Sequence, residues 1–169
     1  MSGRFINVGC AQWRLNNFEN YDLVDRGSLE GPSWATWHGP FTLVRSWEEI
    51  DFTDAEVVYL GHLLEHLPRG THHLLLAKIA KQAPRAYVGV AVPIIDNAPE
   101  MDWGVLQDVL SFPQNEQDLP ASHRQAFRKK DILKDLKIYW EQVAEWPECP
   151  FATSHDTFIQ VIFRCVHAK

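Results

Sequence analysis

The sequence predicts an α/β fold with a mostly parallel central sheet and an antiparallel C-terminal hairpin. Three observations predict it. Short apolar segments alternate with loops or helical stretches through most of the chain, the order that crossover connections impose on parallel strands. Residues 86–92, AYVGVAV, form a near-continuous apolar run, as expected of a strand buried on both faces. Two strand-like segments then follow each other directly at the end, residues 139–146 and 157–166, joined by PECPFATSHD.

The elements follow in order. Residues 5–8 supply a buried first strand and residues 18–24 a second. Residues 27–40 hold three glycines, two prolines, Trp34, Trp37 and His38, and read as a loop with aromatic anchors. Residues 41–44 predict a short third strand. Residues 57–60 predict a fourth, preceded by Asp51, Asp54 and Glu56. Pro68, Gly70 and Thr71 punctuate before a helix over residues 72–82, in which Leu75, Leu76, Ile79 and Ala80 fall at helical spacing. After the strand at 86–92 the character changes: residues 93–120 carry four of the ten prolines around a helix near residues 101–110. A better helix includes residues 131–136, with Ile132, Leu133 and Leu136 turned inward.

At 169 residues and 46% hydrophobic, the chain can bury a core as one domain spanning residues 1–169. Its net charge of −6 offers no global field for a nucleic-acid backbone. The basic run Arg124, Arg128, Lys129, Lys130, Lys134 and Lys137 is interrupted by Asp131 and Asp135, and reads as a solvated helix face. Cys10, Cys149 and Cys165 are an odd, widely spaced set with no CxxC, which argues against a disulfide or zinc scaffold and fits a reducing compartment. No apolar stretch is long enough to span a bilayer, and the N-terminus lacks a signal peptide's apolar core. A cytoplasmic protein without a membrane partner is expected.

In sheets of this kind ligands sit outside the carboxyl ends of the strands. That places residues 9–12, 22–25, 61–65 and the loop after Pro93 around one crevice. Those segments read INVGCA, ENYDLVD and VYLGHLLEHL, followed by VGVAVP and HRQAF…ILKDL. In this order they resemble the Rossmann-like, class I S-adenosylmethionine-dependent methyltransferases, in particular a small predicted branch with a shortened first helix. Gly9 lets backbone approach a ligand closely. Asp22 would accept hydrogen bonds from ribose hydroxyls, as acids do in dinucleotide folds. The two are 13 residues apart, against about 20 in the full dinucleotide fingerprint, so no full helix fits between them. On the residues alone, each could equally be a turn glycine or a turn acid.

The resemblance implies a Rossmann-like methyltransferase sandwich that uses S-adenosylmethionine as cofactor and methylates an unidentified acceptor. It implies cofactor contacts at Asn7, Gly9, Cys10, Ala11, Asp22, Leu23, Trp47, Gly61, His62 and Leu63. Residues 93–123 would form a substrate-side insertion, with Trp37, Asp96, Trp103 and His123 lining the acceptor site. His62 is the candidate general base, or else a neutral histidine satisfied by backbone. Trp47 stacks on adenine with Glu48 as its polar partner, or it is a core aromatic.

The chain departs from the family at Ala11 and Asn17, where the family has glycines, and VRSWEE lacks the acid that binds the adenine amino group. Those departures keep open a second reading, a binding module of the same fold that serves a partner. A third reading is a zinc hydrolase, since His62, Glu65 and His66 match H-x-x-E-H. That motif needs a long helix and a third ligand, so no metal is expected. His66 would brace the sheet and Glu65 would fix local hydrogen bonds. His72 and His73 are expected at the surface or as helix caps, and His38 and His155 at the surface. No DPPY-type motif of nucleobase methylation is present. The chain opens at the first strand without covering helices, from which a homodimer is an expectation that no residue supports directly.

Overall fold

The computed structural model describes residues 3–9, 14–23, 40–68, 70–94, 127–150 and 160–169. Nine elements appear among them: β1 (Arg4–Val8), β2 (Glu19–Asp22), β3 (Thr42–Leu43), β4 (Ala55–Gly61), α1 (His72–Gln82), β5 (Tyr87–Pro93), α2 (Lys129–Tyr139), β6 (Trp140–Glu145) and β7 (Gln160–Ala168). Short 3₁₀ turns cover Trp47–Glu49 and Leu64–His66. The strands form one sheet in the order β3-β2-β1-β4-β5-β7-β6. β1 to β5 are parallel, and β7 runs antiparallel between β5 and β6. This is the predicted mostly parallel sheet with its C-terminal hairpin. The predicted loop at residues 27–40, apart from Pro40, and the helix near residues 101–110 lie outside the described residues.

Period-2 alternation sorts the strand side chains onto two faces. Val58 and Leu60 of β4, Val88, Val90 and Val92 of β5, and Phe163 and Cys165 of β7 point to one face. There they meet the helical stripes, Leu75, Leu76, Ile79 and Ala80 of α1 with Ile132 and Leu136 of α2. Fully burying each such aliphatic side chain contributes about 1.5–3 kcal/mol, so this face holds most of the core. Tyr59, Ala91 and Ile162 point the other way and meet Cys149, with Leu15, Phe18 and Trp146 packed around them. The residues beside Tyr59 are small for a reason: a Cβ at Gly61 would stand 2.6 Å from its ring, and one at Gly89 2.9 Å.

Helix α1 ends where Pro84 cannot continue it, with Ala83 N–H donating to the Ile79 carbonyl. Helix α2 passes directly into β6 at Trp140, whose side chain is fully buried. At the amino end of the sheet Arg4 grips Glu19 with two hydrogen bonds, 2.9 and 2.8 Å, and also donates to the carbonyls of Asp51 and Thr53. No described helix is long and apolar enough to cross a membrane.

Candidate functional site

The strand order reverses direction between β1 and β4, since β2 and β3 lie on one side and β5 on the other. Such a switch point opens a crevice at the carboxyl ends of the parallel strands. The register brings three predicted residues into one row there. Val8 pairs with Tyr21 on one side and Leu60 on the other, so the next residues along, Gly9, Asp22 and Gly61, stand side by side. Gly61 in turn pairs with Ala91 of β5.

Gly9 has φ +74° and its N–H donates to the Tyr21 carbonyl at 2.9 Å. Its left-handed backbone turns the chain out of β1, a conformation any side chain resists. A Cβ at this position would also lie 2.8 Å from Cδ1 and 3.0 Å from Cβ of Leu63. The need for glycine is therefore internal as well: it lets the segment after β4 pack against the turn after β1. Asp22 ends β2 and is only 8% exposed. Its Oδ1 accepts the Leu23 N–H at 2.6 Å, and its carbonyl accepts the Val44 N–H at 2.9 Å.

His62 follows β4 with φ +53°, an uncommon conformation for a side chain other than glycine. Its N–H donates to the Ala91 carbonyl at 3.0 Å, which fixes the backbone over β5. Its Nδ1 lies 3.1 Å from Oε1 of Glu65, a carboxylate with no solvent exposure, whereas the His62 ring is 34% exposed. The other Glu65 oxygen has no hydrogen-bond partner among the described residues. The buried Glu65 carboxylate thus holds the partly exposed His62 ring where the chain leaves β4. Beneath it, burial pushes the Tyr59 phenol well above its ordinary range, so it remains neutral.

The remaining predicted residues have other surroundings. Leu63 is buried, and Leu23 and Trp47 pack against the main core. The Trp47 indole N–H is buried with no partner among the described residues. Asn7 is buried and its Nδ2 donates to Oδ1 of Asn20 at 2.9 Å. Asn20 also accepts the Leu15 N–H and donates to the carbonyls of Leu15 and Phe18, so the pair shapes the start of β2 and the segment before it. Sequence reasoning missed Asn20; two asparagines that face each other in register on adjacent strands were the available signal. Cys10, Ala11, Trp37, Asp96, Trp103 and His123 lie outside the described residues.

Two further histidine expectations meet the structure. His62 and His66 do not share a helix, because β4 ends at Gly61 and only the 3₁₀ turn Leu64–His66 follows. His72 is neither exposed nor a cap. His72 is 4% exposed, and its Nε2 lies 3.3 Å from Oδ2 of Asp135 on α2. His73 is half-buried with Nδ1 3.1 Å from the Tyr139 hydroxyl. The packing of α1 on α2 buries the His72 ring, whereas His73, its side chain 33% exposed, stays partly at the surface. Burial lowers the His72 pKa, partly offset by the hydrogen bond to Asp135.

No known protein-family model matches the chain, and no curated protein matches it. Solved structures do. A SAM-dependent methyltransferase from Archaeoglobus fulgidus superimposes with a TM-score of 0.59 at 12% identity, over 99% of this chain and 86% of that one. Magnesium protoporphyrin IX methyltransferase from Synechocystis PCC 6803, with SAH bound, gives 0.55 at 14% identity, over 98% of this chain and 74% of that one. Human N-acetylserotonin methyltransferase, in complex with SAM, gives 0.60 at 10% identity, and this chain spans 48% of its length. Strand order, the single antiparallel strand β7 and these superpositions agree: the chain has the fold of the class I S-adenosylmethionine-dependent methyltransferases.

Proposed function

We propose that the crevice at the ends of β1, β2 and β4 binds S-adenosylmethionine, and that the chain transfers its methyl group to an acceptor. The observation that carries this reading is the row Gly9–Asp22–Gly61 at the switch point, with His62 raised above it. The donor set fits the cofactor's chemistry: a carboxylate at the tip of β2 suits a ribose diol, and the turn at Gly9 presents backbone rather than side chain. The solved neighbours that carry SAM or SAH support the same cofactor.

When bound, the sulfonium supplies an electrophilic methyl carbon and a neutral thioether leaving group. The chain's part is chiefly alignment, since proximity and orientation can lower such a barrier by about 7–11 kcal/mol. Asp22 and the backbone around Gly9 hold the nucleoside end. His62 would serve acceptors that must lose a proton, its ring oriented by the contact of Nδ1 with Glu65. With the cofactor bound, its methyl group would pass to the acceptor while the sulfur left as a neutral thioether, and His62 would take up the proton such an acceptor loses. Glu65 is then a positioning residue that stabilises the resulting imidazolium.

The test is methyl transfer from tritiated S-adenosylmethionine into fractionated small molecules, proteins and nucleic acids. Label is expected in one fraction, reduced about 10–100-fold with Asp22→Ala at subsaturating cofactor and by about 10²–10⁴-fold with His62→Ala if the acceptor is a hydroxyl. No label in any fraction from a sample that binds the cofactor would favour the binding-module reading instead.

A further inference from the structure

A second group of chemistry-bearing side chains lies outside the crevice, where α1 packs on α2. None of its members belongs to the proposed methyl-transfer site. His72 and His73 open α1, and Asp135 comes to them from α2, 63 residues away in sequence from His72. One ligand atom from each of the three lies within 4.8 Å of the other two. We propose that His72, His73 and Asp135 form a binding site for a divalent transition metal, zinc(II), that fastens α1 to α2.

Geometry and ligand chemistry carry this. A tetrahedral zinc with bonds of about 2.0–2.1 Å separates its ligand atoms by about 3.3 Å. His72 Nε2 and Asp135 Oδ2 already stand 3.3 Å apart, and His73 Nε2 is 3.9 Å from Asp135 Oδ1. The two imidazoles lie face to face, centroids 4.2 Å apart and planes 32° from parallel, so one carboxylate reaches both. Two imidazole nitrogens with one carboxylate suit zinc; calcium and magnesium select oxygen alone.

The surroundings are those of a supported site. The Tyr139 oxygen, 3.1 Å from His73 Nδ1, can accept its proton and leave Nε2 as the ligand, the outer-shell bond that metal-binding histidines ordinarily make. Phe127 stands edge-on to His72, 5.5 Å between centroids, and walls the inner side. His73 and Asp135 keep 33% and 25% side-chain exposure, which leaves an entry path and a fourth position for water. Metal loading would displace the proton shared between His72 and Asp135.

The experiment uses the full chain stripped with chelator and titrated with zinc chloride by calorimetry and thermal melting. One equivalent should bind, and the melting temperature should rise by about 5–10 °C at free zinc one hundred times Kd. His73→Gln and Asp135→Asn should each weaken binding at least tenfold while the metal-free protein keeps its circular dichroism. His73→Gln alters a half-exposed ring and so reads the site even if Asp135→Asn disturbs the packing. Cys10→Ser and His66→Ala should bind as the wild type does. No saturable binding, or binding that survives His73→Gln but is lost with Cys10→Ser or His66→Ala, would overturn the proposal.

Discussion

Replacing Gly9 by alanine tests how the crevice is built, and its cost can be worked from two glycines. Gly9 and Gly70 both have left-handed backbones, with φ +74° and +83°. A Cβ at Gly70 meets nothing within 4 Å among the described residues, so Gly70→Ala reports chiefly backbone strain, roughly 1–2 kcal/mol. A Cβ at Gly9 adds contacts of 2.8 and 3.0 Å with Leu63, which is buried and cannot move aside freely. Overpacking of that kind costs about 1–3 kcal/mol more. Gly9→Ala should therefore cost about 2–5 kcal/mol, and each kcal/mol lowers the melting temperature of a chain this size by about 2–4 °C. Urea unfolding of both variants gives the comparison. In a Leu63→Ala background the Gly9→Ala penalty should fall in part but stay above that of Gly70→Ala, because the 2.8 Å Cδ1 contact is gone while the 3.0 Å contact with Cβ remains. A Gly9→Ala cost no larger than that of Gly70→Ala, or one unchanged by Leu63→Ala, would refute the reasoning.

Two further outcomes are expected. Arg4 holds the Glu19 carboxyl below its ordinary value, so this pair's contribution is present above pH 4.5 and is lost as pH falls through the folded value. Both groups are part exposed, which limits the effect: Glu19→Gln should cost about 1 kcal/mol at neutral pH and progressively less as the carboxyl protonates in acid, and a gap that does not shrink on acidification would contradict the pairing. Cys149 and Cys165 are buried, and burial pushes the Cys165 thiol far up. In a Cys10→Ser variant, Ellman's reagent should therefore find no fast thiol in the native protein and two in denaturant; a rapid native titre would show that one of them is open.

Much of the fold was legible in the residues because the signals were local. The apolar run of β5 and the helical spacing of Leu75, Leu76 and Ile79 each act within one element. That Gly9, Asp22 and Gly61 come together was legible because a parallel sheet gathers strand ends in one place. What escaped depends on partners distant in sequence. Asn7 and Asn20 read as unremarkable polar residues until register pairs them across β1 and β2. His72 and His73 read as solvent-facing because Asp135 and Tyr139 arrive 63 and 66 residues later, on α2. The depth of Glu65 also needed coordinates: a fully buried carboxylate makes sense only once His62, bent into a left-handed conformation, stands 3.1 Å away. Gly9 was expected to make room for a ligand; the neighbour that its missing Cβ admits in the structure is Leu63.

The central claim is that the row at the ends of β1, β2 and β4 is a cofactor site, and calorimetric titration tests it most directly. The wild-type protein should bind S-adenosylmethionine and S-adenosylhomocysteine with micromolar dissociation constants. Asp22→Ala, which removes the acceptor for the ribose hydroxyls, should weaken both by about 10–100-fold, the worth of a hydrogen bond to a charged group. A well-folded wild-type sample that binds neither ligand, or an Asp22→Ala variant that binds both unchanged, would contradict the account.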